Sequence, residues 1–72
     1  MNIALFKATM VRNRDTQASL ATDMGLSLSR LNAKINEAAG AEFTQSEMDF
    51  CIKRYNLSSD EAMNIFFNQK VS

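Results

Sequence analysis

Apolar residues recur along this chain at intervals of three and four, the period of a helix with one buried face. Ile3, Phe6 and Met10 mark one such face, and Leu20, Ala21 and Met24 a second. Leu28, Leu31 and Ile35 mark a third, Met48, Cys51, Ile52 and Tyr55 a fourth, and Ala62, Ile65 and Phe66 a fifth. Polar start signals precede these runs. Ser58 with Glu61, and Thr44 with Glu47, have the spacing of a capping box, in which each side chain bonds the other residue's backbone N–H. Leu57 with Ala62, Phe43 with Met48, and Leu26 with Leu31 stand where a hydrophobic staple would close across a helix start. Thr16 and Ser27 can each cap a helix by accepting an orphan N–H. Gly40 is a candidate left-handed stop for the third helix. With no proline and two glycines to punctuate it, the chain reads as all-α, five helices joined by short loops except at Glu37–Phe43. Helices this short are not stable alone in water. They must share one core, with five Phe and five Met supplying much of its volume.

The length of 72 residues predicts a single domain over 1–72, with no cleft between domains for a deep active site. Hydrophobic residues at 46% and charged residues at 22% argue against intrinsic disorder. There is no histidine, and Cys51 is the one cysteine. The common Cys/His zinc sites, Ser–His and Cys–His catalysis and an internal disulfide are therefore excluded. Glu47 and Glu61 read as caps, Cys51 as core, and Tyr55 as a packed ring with its hydroxyl in water. No enzyme, cofactor, metal or small-molecule substrate is expected. No run approaches the roughly 20 apolar residues of a membrane span, and MNIALFKATMVRNR lacks a leader pattern, so a cytoplasmic protein with no membrane partner is expected.

Eight bases balance eight acids, but unevenly. Residues 1–36 hold five bases (Lys7, Arg12, Arg14, Arg30, Lys34) against Asp15 and Asp23, a net +3. Residues 37–72 hold Lys53, Arg54 and Lys70 against six acids, a net −3. One half could face a polyanion while the other faces away.

The segment from Thr16 to Asn36, TQASLATDMGLSLSRLNAKIN, carries the most information. Two short helices meet at Gly25-Leu26-Ser27, and Gly25 suits a turn residue at positive φ. Leu20 and Ala21 face inward before the turn, Leu31 and Ile35 after it, and the small Ala21 permits close approach. These are the requirements of a helix-turn-helix. Through Thr16-Gln17, Leu20-Ala21, Gly25, Ser27, Leu31 and Ile35-Asn36, the chain resembles the lambdoid phage repressor and Cro family, the XRE-type helix-turn-helix proteins. Phe43-Thr44-Gln45-Ser46-Glu47 and Asn56-Leu57-Ser58 through Phe66-Phe67 look like the fourth and fifth helices of small phage or prophage regulators from Gram-positive hosts. The resemblance implies a compact five-helix lambda-repressor-like DNA-binding domain, a transcriptional regulator whose partner is double-stranded DNA.

It further implies a recognition helix, from about Leu28 to Asn36 here, lying in the major groove. Arg30 could then read guanine and Asn32 adenine, each through two bonds, while Leu28 and Ala33 touch thymine methyls and Ser29 accepts either base. Gln17 matches the family's phosphate-contacting glutamine, with Asn36, Lys34, Arg12 and Arg14 as further phosphate candidates. Two positions depart from the family pattern. Met10 and Ile35 stand where many members carry a charge pair, which predicts an apolar contact. Glu37 replaces a common glycine, which predicts a recognition helix about a turn longer than usual. Ile65, Phe66 and Phe67 cannot all face one core, so a surface-exposed phenylalanine is expected, and with it a weak homodimer through Phe67 and Val71. The alternative reading is a helix-turn-helix fold that binds protein, as a phage antirepressor or accessory factor would.

Overall fold

The computed structural model describes residues 1–67, which fold into five helices with no strand among them. Helix α1 spans Ile3–Arg12, α2 Gln17–Met24, α3 Leu28–Asn36, α4 Gln45–Arg54 and α5 Ser59–Ala62. A 3₁₀ turn at Ala38–Gly40 follows α3, and α5 continues as a π-helical turn, Met63–Phe67.

The starts of α2, α3, α4 and α5 are capped as the sequence suggests. Thr16 accepts the Ser19 N–H at 3.1 Å and Ser27 the Arg30 N–H at 3.1 Å. Both capping boxes close: Thr44 with Glu47 and Ser58 with Glu61. Helix α1 is capped by Asn2, whose Oδ1 accepts the Leu5 N–H at 3.0 Å.

The ends follow a rule that glycine content conceals. After α2, Gly25 sits at φ 73°. Its N–H donates to the Thr22 carbonyl and that of Leu26 to Ala21, the paired closure of a Schellman motif. Helix α1 ends the same way with Arg14 at φ 54°, and α4 with Asn56 at φ 51°. Helix α3 stops at Asn36 because Glu37 takes the left-handed conformation, φ 55°. Helix α3 is thus not extended by a further turn, and Gly40 does not end it: the chain has already turned at Glu37 and enters the short 3₁₀ turn.

Two of these left-handed residues strain the same loop, for Ala39 is also at φ 54°. A residue with a Cβ gives up about 1–2 kcal/mol there, against about 0.4–1 kcal/mol of extra unfolded-state freedom for glycine. Ala39→Gly is accordingly expected to stabilise the domain by about 0.5–1 kcal/mol. A thermal melt would show a rise of a few degrees; an unchanged or lowered midpoint would contradict the strain.

The core gathers residues from every helix: Phe6, Met10, Leu20, Ala21, Leu31, Ile35, Phe43, Cys51, Tyr55, Ala62, Ile65 and Phe66. Phe6 is its centre, with ring centroids 5.6 Å from Phe43, 6.3 Å from Tyr55 and 6.1 Å from Phe66. Met10 and Ile35 are both buried there, where a charge pair would have had to be desolvated. Ile3, Met24, Met48 and Ile52 lie half-buried at its margin. Burial pushes the Cys51 thiol up to about 12, the behaviour of an inert core residue. At the end of α5 the π-helical turn brings Ile65 and Phe66 inward and leaves Phe67 45% exposed. Val71 lies outside the described residues.

Candidate nucleic-acid interface

Helix α3 packs on α2 and α1 through Leu31 and Ile35, both fully buried. Its other side is open. Leu28, Ser29, Arg30, Asn32 and Asn36 are exposed and Ala33 is half-buried. No carboxylate lies within Leu28–Asn36. Asn36 Nδ2 donates to the Asn32 Oδ1 at 2.9 Å and to the Asn32 carbonyl at 3.0 Å. The Asn32 amide is therefore oriented, with one lone pair of its oxygen used and its two N–H donors still available. All five candidate base-contacting positions thus share one helix, and the buried Leu31 and Ile35 hold it in place.

The expected phosphate-contacting residues are scattered more widely. Gln17 occupies the first turn of α2, half-buried, where the backbone N–H groups are unpaired within the helix. Arg14 is exposed in the α1–α2 turn. Arg12 is exposed but leans toward Glu61 of α5 at 3.6 Å.

Lys34 corrects its expectation. It is 8% exposed, with Nζ 2.8 Å from Glu47 Oε1 and 3.5 Å from the Glu42 carbonyl. Three residues beyond Leu31, it falls on the inward stripe of α3, and its ammonium is satisfied by α4 rather than offered to a ligand. Burial opposes the charge on Glu47, but the Lys34 ammonium and the Thr44 N–H outweigh it and hold the carboxyl below its ordinary value.

A second cluster borders the interface. Asp15, just before α2, accepts from Arg54 Nε at 2.8 Å and Nη2 at 3.0 Å, from the Tyr55 hydroxyl at 2.5 Å and from the Thr16 N–H at 2.9 Å. Arg54 also donates to Asp23 at 2.5 Å and to Ser19 Oγ at 3.2 Å. The Arg54 guanidinium, with help from Tyr55 and Thr16, overcomes burial and holds the Asp15 carboxyl down at about 2. Tyr55 is buried and its hydroxyl bonded, not wet as its sequence context suggested. Burial first, and then the bond to Asp15, push its pKa up. Nothing local announces this cluster, whose partners stand 39 and 40 residues apart.

Comparison with protein-family models, curated proteins and solved structures finds no match to this chain.

The charge asymmetry of the two halves is largely closed by the fold. Arg12–Glu61 and Lys34–Glu47 join bases of the first half to acids of the second, and Arg54 joins a base of the second to Asp15 and Asp23 of the first. Among the described residues, Lys7, Arg14 and Arg30 are the first-half charges with no ion-pair partner, and all three are basic. No group of three His, Cys, Asp or Glu side chains among the described residues could hold a metal. No helix among them is long and apolar enough to cross a membrane.

Proposed function

We propose that this protein is a sequence-specific DNA-binding regulator of the repressor or Cro type, with α2 and α3 as its helix-turn-helix and α3 as the element that enters the major groove. One observation carries the reading: the outward side of α3 is uncovered, free of carboxylates and furnished with Ser29, Arg30, Asn32 and Asn36. Arg30 supplies the forked donor that matches the guanine edge, and Asn32, steadied by Asn36, faces adenine. Leu28 and Ala33 supply apolar contacts to thymine methyls. Gln17, Arg14 and Asn36 fix the register on the backbone, a role that orients without reading sequence. Regulation is then by occupancy of an operator in the cytoplasm, and the role needs no catalytic step or cofactor. A weak homodimer through the exposed Phe67 would set two copies of α3 on paired half-sites.

The second reading, a protein-binding module, is favoured by the exposed Met63 and Phe67 on the π-helical turn. Titration of random-sequence duplex at two salt concentrations separates the two, since phosphate contacts make affinity fall steeply with salt. On a sequence selected from a random pool, Arg30→Ala is expected to lose about 1–3 kcal/mol of affinity with little change in salt slope. Arg30 is exposed, so stability should stay within about 0.5 kcal/mol. No salt-sensitive binding by the wild-type chain would remove the DNA reading and leave the protein-binding one.

A further inference from the structure

The α2–α3 unit contains two carboxylates, Asp15 at its entrance and Asp23 in the last turn of α2. Its bases are Arg30 and Lys34, and Lys34 is already spent on Glu47. With Lys34 taken up by Glu47, Arg30 is the exposed base within the unit, and the two carboxylates would face a phosphate backbone without a partner of their own. Asp23 also sits at the negative end of the α2 dipole, where a carboxylate is unfavourable.

One side chain from outside the unit changes this. Ser19 and Asp23, four residues apart, share one side of α2, and Asp15 stands just before its N-cap. The Arg54 guanidinium, from the last turn of α4, bonds all three: Asp15 through two nitrogens, Ser19 Oγ and Asp23 Oδ2. It is 21% exposed, Asp15 9% and Asp23 51%. The planar fork is what permits this reach; a lysine ammonium, a single point charge, could not span all three.

We infer that Arg54 is a positioning and charge-masking residue for DNA binding: it pins α2 along its length and screens Asp15 and Asp23 from the phosphate backbone, without itself touching DNA. The inference rests on the proposed DNA-binding role. It assigns a determinant of affinity to a residue outside the α2–α3 unit, on a helix given no part in the interface.

The test is a double-variant cycle between Arg54→Gln and Asp23→Asn, read as affinity for random-sequence duplex at low salt, with folding checked by circular dichroism. Arg54→Gln should weaken binding about tenfold, within the range reached by residues that act without contact. Asp23→Asn should change the wild-type affinity by about twofold or less, yet recover several-fold in the Arg54→Gln background, because its charge loses its ion-pair partner only there. Recovery should shrink as salt screens the repulsion. A purely structural role for Arg54 would show no such selective, salt-sensitive recovery.

If Arg54→Gln does not fold, the same comparison is made in Asp15→Asn/Arg54→Gln, where no buried carboxylate is left without its charge partner. Folded Arg54→Gln binding like wild type, or equal effects of Asp23→Asn in both backgrounds, overturns the inference alone. Failure of the wild-type chain to bind duplex overturns it together with the DNA reading.

Discussion

Phe6→Ala is expected to cost about 3–5 kcal/mol of folding stability, the range for deleting a large aromatic from a packed core. Phe6 is fully buried and stacks in tilted or edge-on geometry on Phe43, Tyr55 and Phe66. Its ring joins α1 to the segment before α4, to the end of α4 and to the turn after α5. At about 0.05–0.15 kcal/mol per residue, a domain of this size has roughly 4–11 kcal/mol in all. The variant therefore falls close to the folding threshold. Urea denaturation should show the midpoint falling by about a quarter or more, while Leu28→Ala, 48% exposed, should leave it nearly unchanged. A loss below about 1 kcal/mol for Phe6→Ala would mean that the cluster is not the centre of the core.

The second large effect concerns Asp15. Asp15→Ala leaves the Arg54 guanidinium with Asp23 and the Ser19 hydroxyl and the buried Tyr55 hydroxyl without its acceptor, and should cost about 2–4 kcal/mol. Acid should reproduce part of this in the unaltered protein. The Asp15 carboxyl is held down at about 2 from an ordinary 3.8, so its contribution is complete above about pH 4 and is lost as pH falls toward 2. The shift corresponds to about 2 kcal/mol. Glu47 and Glu61, also held below their ordinary values, add to the same acid loss. Asp15→Asn should therefore flatten the stability curve between pH 4 and 2 without levelling it. On the alkaline side the sign reverses. The Cys51 and Tyr55 pKa values are raised, so their protonated forms favour the fold and stability should fall once the unfolded thiol ionises, near pH 9. A variant with the wild-type acid profile would contradict the assignment of Asp15 as the main low-pH group.

What was legible in the sequence was local. Thr16, Ser27, Thr44 and Ser58 announce helix starts because a cap is completed within three residues. The apolar stripes of α1, α3 and α5 pick out Phe6, Met10, Leu31, Ile35, Ile65 and Phe66 for the same reason. Helix ends were less visible. Gly25 could be read as a left-handed closure, but Arg14, Glu37 and Asn56 adopt the same conformation, and only the fold shows that the bonds of the following turn outweigh the strain of a Cβ. The error about the length of α3 came from this. Lys34, a phosphate candidate from its sequence, is buried instead. Its position three residues after Leu31 places it inward, and only the facing Glu47, supplied by α4, makes that tolerable. The Arg54 cluster had no signal, since its members meet only when α4 closes on α2.

The candidate interface divides in the same way. Helical period sends Ser29, Ala33 and Asn36 to the outer side of α3, with Arg30 and Asn32 on its flanks; all are exposed but the half-buried Ala33, while Leu28, which the apolar stripe groups with Leu31 and Ile35, is exposed instead of inward. The masking of Asp15 and Asp23, on which the electrostatics of that side depend, is tertiary.

The most direct examination of this account is a nuclear magnetic resonance titration of the folded protein with a short duplex, following each backbone amide. The shifted amides are expected to concentrate at Gln17 and along Leu28–Asn36, while those of Met63 and Phe67 stay in place unless a second copy joins. Perturbation confined to the α5 turn, or none along α3 at concentrations where non-specific duplex binding saturates, would contradict it.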